Sequence, residues 1–476
     1  MKKKEKFFLV VIIISVNFLM SILILSGIFY ILEYLDYDPP NDQKDHAICS
    51  DGAGGAIITW MDYRNFDSTG RDIYAQKIDS NGNIKWILNG VIICNARNSQ
   101  EEPKICSDGR GGAIIAWEDK RTGYYDIYAQ RIDSNGNIAW IPNGIPVCMA
   151  DPGPRDIEMC SDGNGGVIIV WEGNRDYQGT GWNIYTQRID LNGFLRWNIN
   201  GIPIFSSSSD EVDPEICSDG LGGAFIICED DRRVTARRIN SDGENQWESG
   251  MVTLSLSGIY HISICSDGAG GVIAVWFDSN ILYAQKIDLN GNLLWDSNGE
   301  TVAYVDSYNA VPKICSDGEE GAFIAWQDAG TSGDDDWDIE AQWINSNGDI
   351  QWTNTGKAIC DTSNGLGPPE IINTTDGGAF IVWSENRIGV SNSTDIYGQR
   401  IKPDRELAWN SNGILLCDGD DYQNDSQLIF DESSGLIIAW KDKRNSKDYD
   451  IYAQRINILG TKLWSQSGNP IVVLSF

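Results

Sequence analysis

The sequence predicts an all-β protein, an eight-bladed β-propeller of four-stranded antiparallel blades preceded by one N-terminal transmembrane helix. Three observations lead to this fold class. One unit recurs eight times, each copy divides into four short strand-like segments, and a long apolar run precedes the first copy. Sheets stacked around an axis let such units bury both of their faces.

The N-terminal element is a basic segment followed by an apolar one. Residues 1–6 hold four Lys, and residues 7–32 are mostly apolar. As a helix, this run would be roughly 39 Å long, enough to span a bilayer. The Lys excess predicts a cytoplasmic tail at 1–6. We therefore expect a signal anchor at 7–32, a linker at 33–45 and the propeller at 46–476; a cleaved signal peptide is the alternative.

Two tryptophans mark each repeat except the fourth, in which Cys228 takes the place of the first Trp. The unit reads P-x-I-C-S-D-G-x-G-G-A-I-I-x-W-x-D-x-R, a variable loop, D-I-Y-A-Q-x-I-D-x-N-G-N-x-x-W, then x-x-N-G-x-x-x-C, and its second Trp recurs every 48 to 57 residues. Residues repeated around a ring are expected to build the scaffold. These structural tryptophans are Trp60, Trp86, Trp117, Trp140, Trp171, Trp197, Trp247, Trp276, Trp295, Trp326, Trp352, Trp383, Trp409, Trp440 and Trp464.

Each copy contains four strand signals, which the second copy shows well. They are "PKICSD" (103–108), "GAIIAWED" (112–119), "DIYAQRID" (126–133) and the segment from "NIAW" (137–140) to the next Cys. An Asn-Gly pair between strands favours a type I′ hairpin, which needs positive φ. The second strand is apolar on both faces, as in sheets covered on both sides. In this copy we expect Asp119 to pair with Arg121 or to cap the loop before Asp126, and either role is structural.

Composition excludes several functional classes. The net charge of −32 leaves little with which to neutralise phosphates, so nucleic acid is not an expected partner. His46 and His261 are the only histidines, which excludes a histidine triad and multi-histidine zinc sites. Six of the eleven Cys recur at one repeat position, in "ICSDG" or, once, "MCSDG". These places are equivalent and separated, so we expect buried free thiols rather than disulfides.

The repeat resembles known propeller families. Its W-x-D-x-R…D-I-Y units are similar to those of surface-exposed propellers of bacteria and archaea, and Ser107-Asp108-Gly109 resembles the turn of TolB-like blades. The hairpin at 283–295, with Gly291 and Trp295, resembles the tryptophan-docking motif of quinoprotein-like eight-bladed propellers. The resemblance covers 46–476 and implies architecture, because such propellers include dehydrogenases, scaffolds and binding modules. Quinone enzymes carry adjacent cysteines, which this chain lacks.

The second turn of each blade carries most of the variation between copies. First and third turns should share one face of a propeller and are uniform here, whereas the second turns range from "RNFDSTGR" to the very short "DDRRVTA" and "DSNILYA" of copies four and five. Variable loops on a rigid scaffold commonly bind ligands. Some of their aromatics could instead cover blade edges. The candidate ligand-binding aromatics are Tyr63, Phe66, Tyr124, Tyr125, Tyr177, Trp182, Trp337 and Tyr449.

One acidic loop, "SGDDDWD", is the candidate cation site. Its carboxylates are Asp334, Asp335, Asp336 and Asp338. Calcium is the only cofactor they suggest, and a solvated loop is the alternative. The recurring "DSNGN" segments are explained by turn chemistry.

The expected function is a membrane-anchored, single-pass, extracytoplasmic β-propeller of the cell surface that acts as an interaction module for a protein or glycan. No residue is assigned a catalytic role. The alternatives are a glycan-active hydrolase or lyase using loop carboxylates, and an envelope-assembly scaffold.

Overall fold

A computed structural model describes residues 41–150, 153–175, 181–207, 209–255, 260–306, 310–329, 337–362, 366–387, 393–419, 421–432, 435–445 and 447–472. These residues form eight four-stranded antiparallel sheets, as predicted. The strands of the first four blades are β1 Gln43–Ser50, β2 Ala56–Asp62, β3 Asp72–Ile78, β4 Val91–Cys94, β5 Gln100–Ser107, β6 Ala113–Asp119, β7 Asp126–Ile132, β8 Ile145–Cys148, β9 Arg155–Ser161, β10 Val167–Gly173, β11 Asn183–Ile189, β12 Ile202–Phe205, β13 Glu211–Ser218, β14 Ala224–Asp230, β15 Arg233–Ile239 and β16 Val252–Ser255.

The other four blades repeat this order. Their strands are β17 Tyr260–Ser266, β18 Val272–Asp278, β19 Ile281–Ile287, β20 Glu300–Tyr304, β21 Lys313–Ser316, β22 Ala322–Ala329, β23 Trp337–Ile344, β24 Lys357–Cys360, β25 Glu370–Asn373, β26 Ala379–Glu385, β27 Asp395–Ile401, β28 Ile414–Cys417, β29 Gln423–Phe430, β30 Gly435–Asp442, β31 Asp450–Asn457 and β32 Asn469–Pro470. One short helix, α1 Phe66–Thr69, lies between β2 and β3.

The blades form a closed ring with the first strand of each innermost. In every sheet the strands are hydrogen-bonded in sequence order. Each first strand contacts the first strands of the two adjacent blades, and β1 contacts β29. Because β1 pairs with β2 and β32 pairs with β31, the first and last blades each use strands of their own. A central channel therefore runs between eight inner strands.

Adjacent blades are joined by apolar packing and by the second Trp of each repeat. Every residue of β6 is buried, because blades cover both faces of its sheet. Ile57 and Ala75 of blade 1 share a core cluster with Ile115 of blade 2. The Trp86 indole reaches the next blade and donates to the Ser134 carbonyl at 3.3 Å. This contact makes the second Trp part of the scaffold, as expected.

The W-x-D-x-R motif forms one network within a blade. In blade 2, the Trp117 indole donates to Asp119 Oδ2 at 2.8 Å. Arg121 donates to both oxygens of the same carboxylate, at 2.9 and 2.6 Å, and its guanidinium lies 3.7 Å from the Tyr128 ring centroid. Arg121 also donates to the Asn143 carbonyl at 2.8 Å. The predicted pairing of Asp119 with Arg121 is confirmed, and the motif closes the second turn onto the outer strand.

Three details differ from or fall outside the expectations. Strand β1 begins at Gln43 rather than after residue 45, because residues 43–44 already pair with β2. The short helix α1 was not anticipated, since four residues carry no helical periodicity. The expected anchor at 7–32 lies outside the described residues, among which no helix is long and apolar enough to cross a membrane.

The cysteines are free thiols. All eleven lie within the described residues, and none is bonded to another. Six of the inner strands carry one cysteine each, so the thiols are distributed around the ring. The expectation of unpaired thiols is confirmed.

Candidate binding face and central channel

One face of the propeller, here called the uniform face, is built from first and third turns. In blade 2, Asp108 Oδ1 accepts the backbone N–H groups of Arg110 and Gly112, at 2.8 and 2.9 Å. Its other oxygen pairs with Arg131 at 2.6 Å. Equivalent carboxylate–cation pairs recur in blades 1, 3, 4, 5 and 8. Such repetition marks a scaffold rather than a binding site.

The opposite face, here called the irregular face, carries the second turns. In blade 4 this turn contains only Asp231 and Arg232, at φ 46° and 67°, and in blade 5 only Ser279 and Asn280, at φ 49° and 76°. Positive φ at both central residues is the type I′ hairpin geometry. The very short second turns predicted for copies four and five are confirmed. The second turn of blade 1 is longer and contains α1.

The candidate aromatics of blades 1 and 2 separate into buried and accessible side chains. Tyr63 is only 3% exposed and stacks on Phe66 at 5.9 Å between ring centroids, so it packs the loop and is not the accessible aromatic that was expected. Tyr125 donates to Glu101 Oε2 at 2.8 Å. Phe66 and Tyr124 are 49% and 63% exposed. These last two are free to contact a ligand.

Of the remaining candidate aromatics, two contact cations, one is half-buried in a strand and one lies outside the described residues. The Arg155 guanidinium lies 3.8 Å from the centroid of the Trp182 ring. Lys443 lies 5.4 Å from the Tyr449 ring centroid. Trp337 begins β23 and is half-buried. Tyr177 lies outside the described residues.

The candidate cation loop is mostly outside the described residues. This applies to Asp334, Asp335 and Asp336, whereas Asp338 lies in β23 opposite Asp328. Among residues that the structure describes, no group of three or more His, Cys, Asp or Glu side chains could hold a metal ion. Calcium at this loop therefore stays a prediction.

A groove crosses the irregular face between the second turns of blades 1 and 2. It has a volume of ≈ 490 Å³, and its walls include Phe66, Arg97, Lys120 and Gly123. Arg97 is exposed, and no described residue forms an ion pair with it. Tyr124 follows Gly123 directly. The groove thus has one accessible ring in its wall, Phe66, and a second one, Tyr124, directly after a wall residue in the sequence. Of its two cations, Arg97 is exposed and Lys120 lies 3.4 Å from Glu101.

The central channel contains a second cavity, which sequence reasoning did not anticipate. Its volume is ≈ 370 Å³, and all eight inner strands contribute the same repeat position to its wall. This set, here called the channel ring, consists of Ala47, Lys104, Glu158, Glu215, Ser263, Lys313, Glu370 and Gln427. In five copies this position directly precedes "ICS", and its residue differs between copies. Variation inside a repeated inner strand was the signal that could have revealed it.

Ion pairs between adjacent blades occupy two sectors of the channel ring. Lys104 pairs with Glu158 of the next blade, and Lys313 pairs with Glu370 at 3.1 Å. Glu215 differs from the other two glutamates, because no described residue forms a hydrogen bond or ion pair with it. It is enclosed by protein atoms of the channel wall, yet part of its side chain stays open to the cavity.

The channel opens toward the irregular face through an acidic mouth of ≈ 350 Å³. The residues here called the channel mouth are Glu102, Asp156, Asp213 and His261, each at a bulge in its inner strand with φ between 50° and 55°. Side chains of adjacent blades hold two of the bulges. Glu118 accepts the Asp156 N–H at 3.1 Å, and Glu172 accepts the Asp213 N–H at 2.8 Å. The mouth is thus built by strained but well-supported backbone.

Burial, together with the charge of neighbouring carboxylates, raises the pKa values of two carboxyls in the channel and its mouth. Burial, followed by the charge of Glu158, raises the pKa of Glu215 to about 8, although Lys313 and Lys104 oppose the shift. Burial, followed by the charge of Asp45, also raises the pKa of Glu102. The channel therefore holds one carboxyl group, that of Glu215, that is mostly protonated at pH 7.

Comparison with known proteins supplies no family. No family model matches the chain, and no curated protein matches it. Among solved structures it is similar to a puromycin hydrolase (12% identity, 86% of this chain, 58% of that chain, TM-score 0.43). It is also similar to the acylaminoacyl peptidase of Pyrococcus horikoshii (13%, 92%, 54%, 0.43) and to the propeller domain of the Trilobed protease of Pyrococcus furiosus (9%, 77%, 95%, 0.41). The chain spans little more than half the length of the first two proteins.

Proposed function

We propose that this chain is a binding module that holds a protein or a glycan on its irregular face, in the groove between blades 1 and 2. The observation that carries the proposal is the pair of accessible rings, Phe66 and Tyr124, beside a groove that also presents Arg97 and Lys120. Aromatic rings with nearby polar groups suit both sugar stacking and protein hot spots. The rigid ring of blades keeps the two loops in place, so little ordering is needed on binding.

The proposal includes the location predicted from the sequence. The basic and apolar residues at 1–32 would anchor the propeller to the cell membrane as a single-pass protein with the propeller outside. Protease treatment of intact cells tests this: the propeller should be cut or released, while a cytoplasmic marker protein stays intact. Protection of the propeller would contradict it.

Binding is tested by titrating the chain against envelope glycans and purified envelope proteins. Phe66→Ala and Tyr124→Ala should each weaken a saturable interaction at least tenfold, the loss expected for about 1.4 kcal/mol of stacking. Phe194→Ala is the matched control, because Phe194 is 64% exposed but lies in a third turn on the uniform face. Equal effects of the three substitutions would refute the assignment of the groove.

A second candidate function is hydrolysis or cleavage of a glycan in the channel. It is favoured by Glu158 and Glu215, which line one cavity in different environments: Glu158 is paired with Lys104, and Glu215 has a raised pKa. A protonated and an ionised carboxyl could act as general acid and base. Shortening of a polysaccharide by the native chain, and not by Glu215→Gln, would favour this function over binding alone.

A further inference from the structure

The channel ring shows how a glutamate is neutralised in this fold. Glu158 and Glu370 each receive a lysine ammonium from the preceding blade. Both pairs bridge neighbouring inner strands at the same repeat position. Glu215 is the third ring glutamate, and it has no such partner among the described residues.

The space beside Glu215 is open because the next blade supplies a small side chain. The ring residue of blade 5 is Ser263, which lines both the channel cavity and its mouth together with Glu215. The inner strands β13 and β17 that carry these two residues are in contact. The preceding blade supplies Glu158 instead of a lysine, and the serine on the other side of Glu215 leaves room that a longer side chain would fill. A cation that enters through the mouth can therefore reach Glu215 on the Ser263 side.

The approach to this position suits a cation. Glu102, Asp156 and Asp213 line the mouth with exposed side chains, and the cations that face Glu215 from the ring, Lys104 and Lys313, already have carboxylate partners. Negative charge along a narrow entrance raises the local concentration of cations. A mouth of ≈ 350 Å³ is large enough for an alkyl chain behind the charged group.

We propose that the channel binds a primary ammonium group, which enters through the mouth and pairs with Glu215 beside Ser263. The ligand is a linear amine, either a free polyamine or the side chain of a lysine in a peptide. A metal ion fits less well, since the described residues contain no group of three or more potential ligands of the kinds that hold metals. This site is separate from the groove between blades 1 and 2, so it does not depend on the proposed function.

Proton release should accompany binding. Burial and the charge of Glu158 raise the pKa of Glu215 to about 8, so the carboxyl is mostly protonated at pH 7 and must lose that proton to form the ion pair. A lysine-like ammonium, with a pKa near 10.4, stays charged in this range. Four charged groups face Glu215, and they influence its pKa both with and without the amine: Glu158, Lys104, Lys313 and Asp213. Affinity should therefore rise about tenfold from pH 7 to pH 9.

Calorimetric titration with n-butylammonium at about 0.15 M salt tests the proposal, with 1-butanol as the neutral analogue. The native chain should bind the amine and not the alcohol. Glu215→Gln should lower the affinity at least tenfold, and Ser263→Lys, which supplies an ammonium from the protein itself, should do the same. Glu248→Gln is the matched control, because it removes an exposed carboxylate of the same blade near the outer strand β16.

The outcomes separate the hypotheses. Unchanged binding by Glu215→Gln, equal binding of 1-butanol, or no binding of any amine would overturn the proposal. Phe66→Ala should leave amine binding unchanged, so failure of the groove and failure of the channel are distinguishable. Spermidine and N-acetyl-lysine methylamide, titrated in parallel, distinguish a free polyamine from a peptide lysine. Thermal unfolding of each variant confirms that the blades remain folded.

Discussion

Gly144 is a position where a single added methyl group is expected to disrupt the packing of a blade. A Cβ atom there would lie 2.5 Å from Trp117 Cη2 and 2.8 Å from the Ala129 carbonyl oxygen. Trp117 is completely buried, so the ring has no free space in which to move. Gly144 also adopts φ +83°, a conformation that an L-residue adopts at a cost of about 1–2 kcal/mol. Overpacking adds about 1–3 kcal/mol.

The predicted loss for Gly144→Ala is therefore about 2–5 kcal/mol of unfolding free energy. Gly109→Ala is the matched control: Gly109 lies in the same blade at φ +66°, but a Cβ there meets nothing within 4 Å. It should lose only about 1–2 kcal/mol. Urea unfolding followed by tryptophan fluorescence and circular dichroism measures both, and coincident transitions would justify the free energies. Equal losses in the two variants would refute the steric argument.

Three further predictions concern charge and thiols. Arg131→Ala leaves the buried Asp108 carboxylate without its cation and should lower the free energy of unfolding in urea by about 3–5 kcal/mol. Lys85→Ala, which removes the cation of an exposed pair, should lower it by only about 0–1 kcal/mol. Similar losses in the two variants would contradict this prediction. Burial, then the charge of Glu102, raises the pKa of Glu118 to about 8, so between about pH 5 and pH 8 the folded state holds a proton on Glu118 that the unfolded state has lost. Stability should therefore fall as the pH rises through this range. Glu118→Gln should flatten this pH dependence in thermal scans, and an unchanged pH dependence would contradict the prediction. Burial raises the pKa of Cys94 to about 12, so a thiol reagent should label the native protein slowly. Because all eleven cysteines are free, the same reagent should label eleven thiols in the urea-unfolded protein. Fewer labelled thiols in urea would indicate disulfides.

The architecture could be predicted from the sequence because it depends on local and repeated features. Asn-Gly turns recur in most copies, strands apolar on both faces recur in all of them, and only the fourth copy lacks one of the two tryptophans, so each copy yields the same sheet. The two-residue turns at Asp231–Arg232 and Ser279–Asn280 were also visible as missing loop residues. Length and turn chemistry determine such features without knowledge of distant contacts.

The candidate sites could be predicted only in part. Loop variation in the sequence predicted which face is irregular. It did not predict that Tyr63 is buried while Phe66 and Tyr124 are exposed, because exposure depends on which side chains the rest of the loop covers. The channel ring was missed altogether. Its members lie about fifty residues apart in sequence, and a side chain before "ICS" gives no local sign that it faces an axis.

The sequence by itself determined the number of blades, their strand order, the free thiols and the uniformity of one face, because these follow from periodicity within and between repeats. Tertiary structure alone decided which charges meet in the channel. Closure of the ring places Lys104 beside Glu158 and Lys313 beside Glu370, and it leaves Glu215 next to Ser263. Ion pairing depends on distance in space, and only the closed ring sets the distances between residues of different blades.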